Sequence, residues 1–151
     1  MRTYCSLVVR SDTDHQLETT VQRILGLSCG EFVDNKTPER LAQVARLNKI
    51  LGKQEYSPPR YIWSLCSKNV IDSVDVETHI SWLLNQVSPG RSIHEVTDHG
   101  GHAFITCFWA GNGRGGGPIL PSGLVRAVAD HGIELQFDFY VEDNNWPASG
   151  D

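Results

Sequence analysis

The sequence predicts an α+β fold, a two-layer sandwich of ferredoxin-like kind with a mostly antiparallel sheet of four to five strands. Five segments carry the two-residue apolar period of strands, and four others carry the helical period. The two kinds of segment are interspersed, so helices are expected on one face of the sheet, with an inserted helix near 38–51. A length of 151 residues and a hydrophobic content of 40% are enough for one core. Residues 1–142 are therefore predicted to form a single domain, followed by a flexible tail over 143–151.

The first strand and the first helix are predicted from their apolar residues. The strand covers roughly 3–10. One of its faces holds Cys5, Leu7 and Val9. The helix begins near Thr13 and Gln16, which have capping-box spacing, and ends near Gly26. Its apolar stripe consists of Leu17, Val21, Ile24 and Leu25.

A loop, a second helix and a second strand are expected next. Residues 28–37 lack a clear period and are predicted to form a loop. Thr37 and Pro38 suit the N-cap and first position of the inserted helix over 38–51. The strand at 60–67 has Tyr61, Trp63 and Leu65 on one face.

The second half begins with a third helix, for which Asp75 is the predicted N-cap and Pro89 marks the end. Residues 92–97 and 102–110 are predicted to form a hairpin around the Asp98 turn. This gives the chain a His-rich hairpin over 94–102.

The chain is predicted to close with a short helix and a strand. The helix covers about 121–131, and His131 in its last turn is expected to carry a charge that complements the helix dipole. The strand alternates strictly, which indicates one buried face and one wet face. The buried set is Ile133, Leu135, Phe137, Phe139 and Val141, and the wet set is Glu134, Gln136, Asp138 and Tyr140.

Strand 102–110 has large apolar residues on both faces. Phe104 and Phe108 lie on one face, and Ile105, Cys107 and Trp109 lie on the other. Such a strand belongs in the middle of a sheet, and both of its faces need cover. Helices cover one face. The other is covered by the 38–51 helix, by a second copy of the chain or by a partner.

The composition excludes several classes of protein. The net charge of −5 disfavours a nucleic-acid binder, which normally has a basic face. No run approaches the ~18 apolar residues of a membrane span, and no signal peptide is predicted. The four cysteines are far apart and form no C-x-x-C pair, which favours a reduced, cytoplasmic protein.

Two clusters suggest an alternative function, a small-ligand or metal-binding regulatory domain. His94, His99 and His102 are the metal-ligand candidates of the hairpin, although their spacing is not H-E-x-x-H. The Gly-rich loop 111–117 contains G-x-G-x-x-G, but Pro118 removes an amide donor close by. A lone glycine fingerprint is a weak signal, so no cofactor is predicted.

Nucleophilic catalysis is not expected. Cys66 or Cys107 could pair with His79 or His102, but both cysteines lie in apolar strand patterns, where burial makes a thiol unreactive. No G-x-S-x-G elbow occurs. The chain is therefore predicted not to be an enzyme.

Several segments of the second half carry a family resemblance. They are Trp63, the run Ile80-Ser81-Trp82-Leu83-Leu84 through Pro89, and residues 120–141, which include Val128-Ala129-Asp130-His131-Gly132 and Phe137-Asp138-Phe139-Tyr140. In these the chain resembles a bacterial family known as domain of unknown function 4279, over about 3–142 apart from 28–57. The resemblance implies an α+β sheet domain, no established activity and no catalytic residues. Some small bacterial domains of this style look like immunity proteins that neutralise a toxin from a neighbouring gene.

The leading hypothesis is a non-catalytic protein-binding domain of immunity or inhibitor type that uses an open sheet face. Acidic residues beside aromatic ones resemble the rim and centre of an interface, and they would steer a basic partner such as a toxin. Self-association is the other expected use of this face. The candidate contact residues are Trp82, Ile105, Trp109, Glu134, Asp138 and Tyr140.

Overall fold

The computed structural model describes residues 2–52, 57–111 and 116–141. Its elements, in chain order, are β1 (Arg2–Ser11), α1 (Leu17–Leu25), β2 (Glu31–Asp34), α2 (Pro38–Leu51), β3 (Tyr61–Cys66), α3 (Val76–Gln86), α4 (His94–Asp98), β4 (His102–Gly111), α5 (Ser122–Asp130) and β5 (Glu134–Val141). Most of the Gly-rich loop and the expected C-terminal tail lie outside the described residues.

The five strands form one open sheet in the order β2-β3-β1-β4-β5. All neighbours are antiparallel except β4 and β5, which are parallel because α5 carries the chain back between them. The α+β two-layer class is confirmed, and so is the interior position of the 102–110 strand. A helix separates every pair of consecutive strands, whereas the ferredoxin-like order has one direct strand-to-strand connection.

The core lies between one face of the sheet and the helices. Cross-strand register places Cys5 opposite Cys107 and Leu7 opposite Ile105, and all four side chains are fully buried. Trp63 on β3 is the largest fully buried side chain. The predicted stripe of α1 is buried against this layer, as are Val76, Ile80 and Leu83 of α3.

Helix α2 does not cover the other face of the sheet. None of its residues is buried, and it makes no extensive contact with any strand. Leu41 is 53% exposed and Ile50 is 80% exposed. Of the three covers considered for the second face, the helix of this chain is therefore excluded.

Two of the secondary-structure elements predicted from the sequence were wrong. Residues 31–34 form an edge strand rather than a loop, because Phe32 lies opposite Trp63 and extends the sheet. Residues 94–98 form a short helix rather than a hairpin strand. Ser92 donates its N–H to the Glu95 carboxylate at 2.9 Å, which is one half of a capping box and favours a helix start.

The predicted charge on His131 is also wrong. His131 is the C-cap of α5, and its Nδ1 accepts a hydrogen bond of 3.2 Å from the Ile93 N–H at the start of α4. Burial lowers the pKa of His131, as does His94, while Asp130 opposes them. The neutral ring therefore joins α5 to α4 as a hydrogen-bond acceptor.

Acidification is expected to weaken this junction. Because the folded pKa of His131 is below its unfolded value of about 6.5, the unfolded chain binds the proton more readily, and stability is lost as the pH falls below about 6.5. The loss should be under about 1 kcal/mol, since the ring is partly exposed and solvent screens it. Urea unfolding at about pH 7.5 and pH 5, compared with His131→Asn, measures it. Asn keeps an acceptor but does not titrate, so an equal pH response in both proteins would contradict the assignment.

No helix among the described residues is both long and apolar enough to cross a membrane.

Candidate functional site on the open sheet face

The open face is the side of the sheet that points away from the helices. Alternation along the strands assigns its side chains. The members from β2, β3, β1, β4 and β5 are Glu31, Val33, Ile62, Ser64, Cys66, Arg2, Tyr4, Ser6, Val8, Arg10, His102, Phe104, Thr106, Phe108, Ala110, Glu134, Gln136, Asp138 and Tyr140.

Three rings cross this face from β1 to β5 and form what we call the aromatic ladder: Tyr4, Phe108 and Tyr140. Tyr4 and Phe108 are register partners, stacked with centroids 4.7 Å apart and planes 10° apart. Phe108 and Tyr140 follow with centroids 4.9 Å apart and a 31° tilt. Stacked pairs contribute about 0.5–1.5 kcal/mol beyond their buried area, so the ladder is held in place before any partner arrives. Tyr140 at its outer end is 54% exposed.

Acidic side chains border the ladder along β5. Asp138 lies opposite Phe108 and Glu134 lies opposite Phe104, and both carboxylates are exposed. The pKa of Tyr4 is raised mainly by partial burial of its ring. The nearby Cys66, Tyr140 and Asp138 raise this pKa further, and Arg2 lowers it. The Tyr4 hydroxyl therefore stays protonated at neutral pH and can donate a hydrogen bond.

Cations lie at the periphery of the open face. The Arg10 guanidinium lies 5.3 Å from the Phe104 centroid, and the Lys68 ammonium lies 5.3 Å from the Tyr4 centroid. Both distances are within the range of cation–π attraction. The face thus has the aromatic ladder near the start of β1, a polar row of Ser6, Thr106 and Gln136 across its middle, and acidic residues on the β5 side.

A cavity opens at the β1 end of the ladder. It has a volume of about 290 Å³, and Tyr4, Phe108, Lys68 and Asp72 are among its lining residues. This is at the lower limit for small-molecule pockets, which start near ~300 Å³. Its size suits one inserted side chain of a larger partner.

The candidate contact residues fall on two sides of the sheet. Glu134, Asp138 and Tyr140 lie together on the open face. The prediction for Ile105 was wrong, because the register of β4 turns it toward Leu7, where it is fully buried. Trp109 shares that side and packs edge-on against Phe139 with centroids 6.0 Å apart.

Trp82 is also separated from the open face. It lies on α3, on the helix side of the sheet, and packs partly buried against the core. Sequence reasoning missed Tyr4, Phe108 and Lys68 as members of the surface. The sequence did indicate that Phe104 and Phe108 lie on the opposite side of their strand from Ile105, and this could have identified Phe108 as a surface residue.

The three histidines of the expected hairpin do not converge. His94 Nδ1 is 2.7 Å from Ser92 Oγ, and His99 Nδ1 is 2.9 Å from the Glu95 carbonyl. His102 Nδ1 accepts a 2.9 Å hydrogen bond from Arg10 Nε. Among the residues that the structure describes, no three His, Cys, Asp or Glu side chains are grouped to hold a metal ion.

The cysteine and histidine pairs considered for nucleophilic chemistry are not assembled. His79 is fully buried, and its Nδ1 lies 2.7 Å from Ser67 Oγ rather than beside a thiol. A hydrogen bond with Cys107, together with burial, raises the pKa of the Cys5 thiol far above its usual range. Cys107 faces Cys5 inside the core, so both thiols are shielded from solvent.

Comparison with known proteins identifies a family. No curated protein and no solved structure matches this chain. The family model described as Domain of unknown function (DUF4279) matches residues 43–142. The match begins inside α2, so β1 and α1 lie outside it, whereas residues 43–57, which were expected to fall outside, lie within it. Since 100 of 151 residues are matched, the chain belongs to the DUF4279 family.

Proposed function

We propose that this chain is a non-catalytic, cytoplasmic protein-binding domain of immunity or inhibitor type, which neutralises a basic partner such as a bacterial toxin through its open face. The observation that carries the proposal is the aromatic ladder on a sheet face that no described helix of the chain covers. The acidic border on β5 adds the charge preference for the partner.

The ladder has the composition and arrangement of an interface centre. Tyrosine is enriched among the residues that dominate binding energy, and such residues cluster where they can be fully desolvated. The rings of Tyr4, Phe108 and Tyr140 are already stacked, so little side-chain entropy is lost when a partner covers them. The adjoining cavity gives one partner side chain a place to insert.

The acidic residues on the β5 side favour basic groups of a partner there, whereas Arg2, Arg10 and Lys68 place positive charge elsewhere on the face. Glu134 and Asp138 are exposed on the β5 side, and the whole chain carries a net charge of −5. Complementary charge mainly raises the association rate and selects against acidic competitors. Binding is therefore expected to slow as salt screens these carboxylates.

Substitutions on the open face are expected to abolish partner capture. Immobilised protein is incubated with native lysate, and a partner retained at equal stoichiometry is identified by mass spectrometry and purified for affinity measurement. Tyr4→Ala removes the inner end of the ladder and should weaken binding by about 30-fold or more. Asp138→Lys should chiefly slow association and reduce its salt dependence.

The matched control is Val125→Ala on α5, which is 47% exposed on the helix side of the molecule. It should bind like the wild type, and circular dichroism should show that every variant is folded at the temperature of the binding assay. The purified partner must lose its activity when mixed with the wild-type chain. Equal capture by wild type and Tyr4→Ala, or a captured partner that stays active, contradicts the proposal.

A further inference from the structure

We propose that β5 pairs through its free edge with β5 of a second copy, so that an antiparallel two-fold dimer forms with one sheet running through both chains. The proposal does not require the open face to bind a partner, although Asp138 and Tyr140 belong both to that face and to the β5 edge. It concerns the edge of the sheet, where β5 has β4 on one side and, among residues 2–52, 57–111 and 116–141, no strand on the other.

The two edges of the sheet differ in their protection. An exposed edge strand presents unpaired N–H and C=O groups, and proteins blunt such edges with short strands, proline, lysine or bulges. β2 is only four residues long and has an acid at each end. β5 has eight residues and contains no proline, glycine or lysine. Its last three residues, Phe139, Tyr140 and Val141, are 59%, 54% and 65% exposed.

Symmetry restricts how two β5 strands can pair. Residues that lie opposite each other in an antiparallel pair point to the same side of the sheet. The two-fold axis must therefore lie beside one residue of β5, so that this residue is opposite the same residue of the second copy. An axis beside the bond between two residues would place a helix-side residue opposite an open-face residue. The axis is perpendicular to the sheet and leaves both open faces on the same side of the dimer.

The charged residues of β5 then determine which residue lies at the two-fold axis. An axis at Gln136 places Asp138 opposite Glu134 of the second copy, and an axis at Asp138 places two aspartates opposite each other. Like charges directly opposite are destabilising. An axis at Phe139 leaves only residues 137–141 of the strand paired.

An axis at Phe137 avoids each of these defects. It pairs residues 134–140, a stretch as long as any axis allows, and places Asp138 opposite Gln136 of the second copy. On the helix side, Phe139 lies opposite Leu135 of the second copy and Phe137 lies opposite its equivalent. In each chain Phe137 and Phe139 are already stacked, with centroids 5.4 Å apart and planes 8° apart. Pairing would extend this apolar strip across the axis and cover the exposed Phe139.

Two charge-changing substitutions of Gln136 test whether it lies opposite Asp138 of the second copy. Sedimentation velocity of the full chain from about 1 to 300 µM at near-physiological salt should show a reversible dimer of the wild type. Gln136→Glu places like charges opposite at two symmetric sites, and its dissociation constant should rise about tenfold. Gln136→Lys places opposite charges there, and its constant should fall about threefold.

Gln136 is exposed, so neither substitution disturbs the core, and far-ultraviolet circular dichroism confirms the fold of each variant. A wild type that stays monomeric at about 300 µM overturns the proposal. The proposal is also overturned if Gln136→Glu and Gln136→Lys form dimers with the same dissociation constant, because the interface then lies elsewhere. In either case the result for the open face is unaffected, since Tyr4 is two strands away from the edge.

Discussion

Replacing Gly30 by alanine is expected to reduce the free energy of unfolding by about 2–5 kcal/mol. Gly30 has a φ of +124°, a backbone conformation that residues with a side chain rarely adopt. A Cβ at this position would lie 2.5 Å from the indole ring of Trp63. Trp63 is fully buried and its ring is rigid, so the clash is relieved only by moving the backbone before β2 or the core itself.

Two other glycines provide comparisons, one with a positive φ but no clash and one with neither. Gly90 has a φ of +78° and no atom within 4 Å of an added Cβ, so Gly90→Ala should cost only about 1 kcal/mol. Gly117 has neither feature, and Gly117→Ala should change stability by less than about 0.5 kcal/mol. Urea unfolding of the three variants gives the comparison. If Gly30→Ala is no more destabilised than Gly90→Ala, the close contact between Gly30 and Trp63 is not a constraint on this fold.

The elements that could be predicted from sequence are those with a long apolar period. The stripe of α1 and the alternation of β1 each extend over more than two repeats, and both were placed within a few residues. β2 could not be found this way, because its four residues are too few for a period. The short helix α4 was mistaken for a strand, since its start depends on a local hydrogen bond between Ser92 and Glu95 rather than on its apolar residues.

The candidate site depended on information that local sequence lacks. The solvent-exposed face of β5 was predicted correctly, because Glu134, Asp138 and Tyr140 alternate with apolar residues. Which side of β4 would join them depends on how that strand aligns with β1. Tyr4 and Phe108 are register partners although about a hundred positions separate them in the chain, so no local pattern connects them. Choosing Ile105 instead of Phe108 was the consequence.

A buried polar network ties the start of the sheet to α3. Ser67 donates its N–H to the Cys5 carbonyl, and its Oγ accepts the Cys5 N–H, both at 2.9 Å. His79 Nε2 lies 2.9 Å from the Ser73 carbonyl, which can only accept, so Nε2 carries the proton. The Ser67 hydroxyl lies 2.7 Å from His79 Nδ1 and donates at 3.0 Å to the Cys5 carbonyl. One serine side chain thus serves β1 and α3 at once, which explains why both Ser67 and His79 can be fully buried.

Ser67→Ala is expected to destabilise the protein by about 2–4 kcal/mol, because it leaves both the Cys5 N–H and His79 Nδ1 without a partner in the core. His79→Leu should have a similar effect, since it leaves the Ser73 carbonyl unpaired. The double variant should lose at least about 1 kcal/mol less than the sum of the two, because each substitution removes the same hydrogen bond. Ser6→Ala, on the open face, is the control and should be nearly neutral. Strictly additive losses in urea unfolding would mean that Ser67 and His79 contribute separately, and that the contact between them does not stabilise the fold.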